Sequence, residues 1–254
     1  MAPFLYVEKR RRFIFANGSS FLVLADGEKI ESLNIKDYKI IQSERLYRFT
    51  SDSVILSRFA APNAREVCDL CSGSGIVGLH YYALNDESVK RCVLVEIQPS
   101  LAEMSKRSVM LNGLENLFEV INAPLQTVGD IGKFDLVLCN PPYDKKGSGI
   151  LPKDVGLAIA KSEVKVTLEE IIAKAYKLLK VGGRFTMCHK SSRLAEIFSL
   201  TEKYKLNVSR LAFVYGGDDK AYLVLVEAVK GKKQRLEVYN AIINDFKDFS
   251  GNVR

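Results

Sequence analysis

The sequence predicts an α/β fold of the doubly wound kind, and three observations carry that prediction. Phe134-Asp135-Leu136-Val137-Leu138-Cys139 is an apolar run such as a buried parallel strand shows, and it closes on Asn140-Pro141-Pro142-Tyr143. Glu66-Val67-Cys68-Asp69-Leu70 reads as a second strand and runs into the glycine-rich stretch Cys71-Ser72-Gly73-Ser74-Gly75-Ile76-Val77-Gly78, a turn that opens a helix. Around these two, strand-like and helix-like segments alternate, as successive βα units require.

In chain order, residues 1–50 are an N-terminal extension and cap segment, whose stretch from Met1 to about Asp26 is expected to be either a mobile extension or a short extra hairpin around Asn17-Gly18. Ser53 to Ala61 suggests a helix capped by Thr50, Ser51 or Asp52. After the strand Glu66 to Leu70, a helix from Ile76 to Leu84 follows the glycine turn, and Arg91 to Val95 is the next strand, with Glu96 at its end. Pro99 opens a helix that Asn112-Gly113 stops, and Leu117 to Ile121 is a third strand. Beyond the strand Phe134 to Cys139 lies a loop rich in Gly and Lys. Thr167-x-x-Glu170 is then a capping box, starting a helix expected to end at Gly182-Gly183. A strand from Arg184 to Cys188 and a helix to about Tyr204 continue the alternation. Arg210 to Tyr215 and Ala221 to Ala228 form a hairpin at the sheet edge, joined through Gly216-Gly217-Asp218-Asp219. The doubly wound domain is expected over 51–231, with a basic C-terminal tail over 232–254.

Composition narrows the function classes. The 254 residues are 47% hydrophobic and 26% charged, enough for one large α/β domain with a small appendage. A net charge of +7 favours a polyanionic partner, and Lys9 to Arg12, Lys145-Lys146, Lys190 with Arg193, and Lys230 to Arg235 could neutralise phosphates if they share a face. Of five cysteines, Cys68, Cys92, Cys139 and Cys188 sit in apolar strand-like runs, as reduced, buried thiols do. Cys68-x-x-Cys71 lacks a second pair, and His80 and His189 lack ligand spacing, so no metal is expected. Every long apolar run is broken by charge or glycine, which predicts no membrane span and a cytoplasmic protein. Nothing in the sequence sets an oligomeric state.

The motifs point to chemistry. At a strand's carboxyl end, the Asn140 oxygen can accept from a planar amine, Pro141 and Pro142 stiffen the turn, and Tyr143 offers a stacking face. Gly73-x-Gly75-x-x-Gly78 matches the dinucleotide fingerprint, and Glu96 is placed to hold ribose hydroxyls. Asp69 separates the alternatives: a carboxylate before the turn repels a pyrophosphate but suits a ligand carrying sulfonium and ammonium, which S-adenosyl-L-methionine does.

Asp69-x-Cys71-x-Gly73-x-Gly75, Glu96 and Asn140-Pro141-Pro142-Tyr143 together resemble the class I, S-adenosylmethionine-dependent amino methyltransferases. Tyr47 to Leu56, Glu96-Ile97-Gln98-Pro99, Lys145-Lys146-Gly147-Ser148-Gly149 and Ala221 to Glu227 narrow the resemblance to the bacterial tRNA adenine-N6 methyltransferases, which modify adenine 37 of a valine tRNA. The resemblance runs from about Glu28 to about Gly231. It implies a class I (Rossmann-like) sheet with an antiparallel edge strand, S-adenosyl-L-methionine as cofactor and tRNA as partner. It assigns catalysis to Asn140, Pro141, Pro142 and Tyr143, the cofactor to Asp69, Cys71, Gly73, Gly75, Glu96, Ile97, Asn122, Ala123, Phe49 and Thr50, and substrate to Lys145 and Lys146. Three positions depart from the family. Cys71 replaces a glycine; Pro124 replaces an Asp that would meet the adenine of the cofactor, leaving Asn122 or backbone groups to do so; and Ala160-Lys161-Ser162-Glu163 replaces Arg-His-Glu. Relatives sharing the tetrapeptide methylate a glutamine amide or a guanine amine, and a non-catalytic cofactor- and RNA-binding protein is a further alternative.

Overall fold

Strands that are apolar along their whole length must be covered on both faces, and the helices between them supply that cover. The computed structural model describes residues 12–16, 20–44, 46, 51–143, 166–217 and 219–244, without the side chains of 12–16, 20 and 21. Phe49, Thr50, Lys145, Lys146, Glu163, Lys9 to Arg11 and Asn17-Gly18 therefore lie outside the described residues. Two antiparallel pairs come first: β1 (Arg12–Ala16) with β2 (Ser20–Leu24), and β3 (Glu28–Ser32) with β4 (Lys39–Ser43). Next are α1 (Ser51–Phe59), β5 (Glu66–Leu70), α2 (Ile76–Leu84), β6 (Arg91–Glu96), α3 (Pro99–Leu111), β7 (Phe118–Asn122) and β8 (Phe134–Cys139). Then follow α4 (Leu168–Leu178), β9 (Leu179–Lys190), α5 (Leu194–Lys203), β10 (Leu206–Tyr215), β11 (Ala221–Lys230), β12 (Glu237–Val238) and β13 (Ile242–Ile243).

The main sheet runs β12-β10-β11-β9-β8-β5-β6-β7, with β13 also on β10. β7, β6, β5, β8 and β9 are mutually parallel, whereas β11 is antiparallel to both its neighbours and sits one place inside β10. The doubly wound sheet with an antiparallel strand toward one edge is thus the observed architecture. Period-two alternation splits the strands between two cores. Val67, Leu136 and Leu138 join α1 and α2 on one face, while Cys68, Leu70, Val137 and Cys139 join α4 and α5 on the other.

Four sequence expectations need correction. The capping box is present, since Thr167 Oγ1 accepts from Glu170 N and Glu170 Oε2 accepts from Thr167 N, but α4 ends at Leu178 rather than Gly182-Gly183. Those glycines form a bulge in β9. Gly182 has φ +81°, a Cβ on Gly183 would come within 3.0 Å of two carbonyl oxygens, and the β8–β9 register jumps from Phe134↔Leu179 to Leu136↔Arg184. α1 starts two residues earlier than expected, so Asp52 lies in its first turn. The C-terminal segment is not merely a basic tail: Glu237–Val238 and Ile242–Ile243 pair in parallel with β10, and the Arg210 guanidinium lies 4.6 Å from the Phe59 ring centroid and 4.8 Å from that of Tyr239. Finally, Lys230 to Arg235 cannot share a face with Asn140. Leu223 pairs with Lys190 and Val229 with Arg184, so β11 delivers Lys230 to the amino ends of the parallel strands, opposite the carboxyl ends.

The N-terminal hairpins are tied to α3. Leu22, Leu24, Ile41, Leu101 and Met104 share a small core, and Arg107 forks onto both oxygens of Glu28 at 2.5 and 2.6 Å. No helix among the described residues is long and apolar enough to cross a membrane.

Candidate active site

From β5 the chain winds outward to β6 and β7 and then returns to β8 on the other side of β5. This reversal opens a crevice beyond the carboxyl ends of β5 and β8, the place where doubly wound sheets take ligands. The register Leu70↔Cys139 makes the two key motifs neighbours, with Cys71 and Asn140 each one residue past its strand.

The turn after β5 is held from several sides. Ser72 N donates to Val95 O at 3.0 Å, Gly75 N to Ser72 O at 2.8 Å, and Ser105 Oγ to Gly73 O at 3.0 Å. Cys71, Gly73 and Gly75 have φ of +57°, +58° and +86°, the left-handed region where a Cβ is strained. Cys71 therefore holds a backbone conformation that glycine adopts more readily. Gly75 is doubly constrained, because a Cβ there would lie 3.0 Å from Leu94 and 3.2 Å from Ser105 Oγ. At Gly73 a Cβ would meet nothing within 4 Å, so this part of the turn faces open space.

Asp69 lies wholly buried beneath the turn. Its Oδ2 accepts from Gly78 N at 3.0 Å, and its Oδ1 has no hydrogen-bond partner among the described residues. Burial, with the Glu96 carboxylate adding to it, pushes the acid up to about 8 against the pull of the Gly78 amide. Glu96, also buried, accepts from Gly73 N and Gln98 N at 2.8 Å each, and burial raises its pKa as well. The two carboxylates thus flank the turn from adjacent strands. Asn122 spends its amide hydrogens on Glu96 O (2.8 Å) and Ile97 O (3.1 Å), and Ala123 N donates to Glu96 O. Asn122, Ala123 and Ile97 accordingly lock the ends of β6 and β7 together.

Across the crevice, Asn140 is held at both ends of its amide. Its Nδ2 donates to Ser53 Oγ at 2.9 Å, while its Oδ1 accepts from the Tyr143 hydroxyl at 2.6 Å and from Cys188 Sγ at 3.1 Å. Burial holds the Cys188 thiol well above its usual range, so it is a donor. Tyr143 also reaches Asp52 Oδ2 at 3.3 Å, and its ring centroid lies 5.5 Å from that of buried His189. Tyr222 donates to Asp52 Oδ1 at 3.0 Å and accepts from Asn244 Nδ2 at 2.5 Å; Asn244 also donates to Ser51 Oγ at 2.8 Å. From the sequence, Asp52 is one of three candidate caps, Cys188 is expected only as a buried thiol, and Ser53, Tyr222 and Asn244 have no individual role. Ser53 and Tyr222 fall inside stretches that carry the family resemblance, which is a usable signal. Cys188 and Asn244 carry none.

His80 does not face the site: it is buried, 2.7 Å from Ser57 Oγ, and burial lowers its pKa to about 4. Lys190 stands at the carboxyl end of β9, on the side of the crevice, while Arg193 is buried against Glu196.

Residues 50–205 match the methyltransferase small domain family. Among curated proteins, the chain is 23% identical over 188 residues to a tRNA1(Val) (adenine(37)-N6)-methyltransferase of a Flavobacteriaceae bacterium, covering 74% of this chain and 78% of the relative. It is 25% identical over 191 residues to the protein of that description from Porphyromonas gingivalis, covering 71% and 73%. A release factor glutamine methyltransferase of Clostridium botulinum matches over 92 residues at 27% identity, only 35% of this chain and 31% of that protein. Among solved structures, a predicted O-methyltransferase of Agrobacterium tumefaciens superposes with a TM-score of 0.58 at 21% identity, covering 78% of this chain and 91% of that one. A Trm5 bound to tRNALeu gives 0.59 at 17% identity, covering 83% and 56%. These two likenesses concern the fold.

Proposed function

Because the chain belongs to the methyltransferase small domain family, we propose that it transfers a methyl group from S-adenosyl-L-methionine to N6 of an adenine in tRNA, adenine 37 of a valine tRNA. The observation that carries this reading is the pairing of β5 with β8, which sets the Asp69–Gly75 turn beside the Asn140–Tyr143 clamp at one end of the sheet. The adenine target and its tRNA are what the relatives from Flavobacteriaceae and Porphyromonas are named for, and they match most of this chain. A cytoplasmic setting belongs to the same proposal.

The residues present fit the cofactor. A buried carboxylate with one unmatched oxygen, Asp69, suits a cationic ligand, and the open space over Gly73 leaves room for one. Asp69, Cys71, Gly73 and Gly75 would line it on one side and Glu96, Ile97, Asn122 and Ala123 on the other, with Phe49 and Thr50 closing over it. When bound, S-adenosyl-L-methionine supplies an electrophilic methyl group.

The clamp residues act on the other reactant. Adenine's exocyclic nitrogen is a weak nucleophile because its lone pair is delocalised into the ring. Accepting its hydrogens at Asn140 Oδ1 and the Pro141 carbonyl draws the nitrogen toward tetrahedral geometry and aims the lone pair, and such orientation supplies much of the rate. Neither acceptor retains a proton at neutral pH, so the cationic product amine sheds its proton to water. Tyr143 stacks on the unpaired base, and Lys145 and Lys146 hold phosphates of the loop.

The test uses tritiated cofactor with three substrates: a valine tRNA transcript, the same transcript with guanine in place of adenine 37, and a release-factor protein bearing a glutamine target. Label in the first alone, recovered as N6-methyladenosine, supports the proposal. Label in the protein and in neither RNA overturns it.

A further inference from the structure

The clamp is closed on itself in a way that demands a second acceptor for Tyr143. Asn140 Oδ1, the atom that must take a hydrogen of the target amine, already accepts from Tyr143 and from Cys188. A carbonyl oxygen has two lone pairs, so one donor must withdraw when the amine arrives. Cys188 is fixed inside β9, whereas Tyr143 follows the strand end and has another acceptor within reach, Asp52 Oδ2.

What aims that oxygen is remote in sequence. The other Asp52 oxygen is taken by the Tyr222 hydroxyl, and the Tyr222 oxygen in turn accepts from Asn244. Asn244 is itself placed from three directions: its backbone N donates to Tyr215 O at 2.8 Å, its amide bonds Ser51, and β13 just before it pairs with β10. A chain of hydrogen bonds therefore runs Asn244, Tyr222, Asp52, Tyr143, Asn140. Its far end lies beyond the family match over 50–205.

We infer that Tyr222 and Asn244 are positioning residues for methyl transfer: they hold Asp52 so that Tyr143 hands its hydrogen bond from Asn140 to Asp52 when the substrate amine enters. The inference rests on the methyl-transfer reading above. Without Tyr222's hydroxyl or Asn244's amide, Asp52 is free to turn away, Tyr143 stays on Asn140, and the amine must compete for the same oxygen. Losing the hydrogen bonds that aim Asp52 should lower the rate of the transfer step about tenfold or more.

The experiment uses the full chain with Tyr222→Phe, Asn244→Ala and the double variant. Single-turnover methylation of the valine tRNA transcript and calorimetric cofactor affinity are measured, and 3-fluorotyrosine placed at Tyr143 reports its phenol environment by fluorine NMR. The expected result is a comparable loss of transfer rate in both single variants, no further loss in the double, unchanged cofactor affinity, and a moved fluorine resonance in each. Tyr222→Phe keeps the ring and the paired C-terminal segment, so it reports even where Asn244→Ala disturbs folding. Losses that multiply in the double variant, or a fluorine resonance that stays in place in Tyr222→Phe, overturn the inference. A chain that methylates no RNA overturns the methyl-transfer reading instead, and the fluorine resonance still decides whether Tyr222 and Asn244 set Tyr143.

Discussion

Replacing Asp69 with Asn should remove a large part of the protein's pH-dependent instability. In the folded chain the Asp69 acid is pushed up to about 8, while in the unfolded chain it ionises as an ordinary carboxyl near pH ~3.9. A raised folded pKa means that the folded state holds the proton more tightly, so this residue's contribution to stability is whole below the unfolded value. It declines as pH rises and is gone above the folded value. Each unit is worth about 1.36 kcal/mol, so a window of roughly four units amounts to on the order of 5 kcal/mol. Asn has nearly the same shape, can accept from Gly78 through its oxygen, and does not titrate. Urea unfolding of both chains from pH 4 to 9 gives the difference directly, and groups common to both, such as His80, cancel. The stability of the unaltered chain relative to Asp69→Asn should fall by several kcal/mol across that range; parallel curves would refute the argument. A cationic cofactor adds a second handle. Its binding should favour ionised Asp69, release a proton below pH ~8, and do neither in Asp69→Asn, which calorimetry in buffers of different ionisation enthalpy detects.

At Cys71, the left-handed backbone makes Cys71→Gly more stable than Cys71→Ala by about 1 kcal/mol, the reverse of the usual order, and thermal unfolding should separate them by roughly 2–4 °C. Asn140→Ala should keep cofactor affinity by calorimetry while single-turnover transfer drops roughly a hundredfold or more; near-normal transfer would remove the clamp argument. Lys145→Ala combined with Lys146→Ala should weaken RNA binding and flatten its salt dependence. Lys232→Ala with Lys233→Ala should leave that slope unchanged, because β11 carries them toward the other end of the sheet; filter binding across a salt series distinguishes the pairs.

The parts of the site legible in the sequence are those written contiguously. Phe134 to Cys139 followed by Asn140 to Tyr143, and Glu66 to Leu70 followed by the glycine turn, each join a strand to a special loop, and the strand bounds agree with the structure. What escapes is the shell that holds them. Ser53 meets Asn140 across 87 residues, Tyr222 meets Asp52 across 170, and Asn244 meets Ser51 across 193, separations over which no local pattern carries information. The end of α4 is marked by its apolar spacing. Leu168, Ile171, Ile172, Ala175 and Leu178 keep helical spacing and are buried, and the pattern stops there, before the glycine pair. A Gly-Gly pair signals a helix stop or a strand bulge equally well, and only the neighbouring β8 decides between them.

The hydrogen-bond chain to Asn244 sets an order on biogenesis. A ribosome delivers Ser51, Asp52 and the clamp long before it delivers Tyr222 and then Asn244, so a nascent chain can assemble the β5–β8 pair and its glycine turn while the Asp52 contacts are still missing. The last link joins through short strands on the outside of β10, which can detach without breaking the parallel sheet. A stalled or clipped polypeptide ending before Ile242 would therefore be folded in its core yet lack the element that releases Tyr143 from Asn140, a built-in distinction between finished and unfinished enzyme.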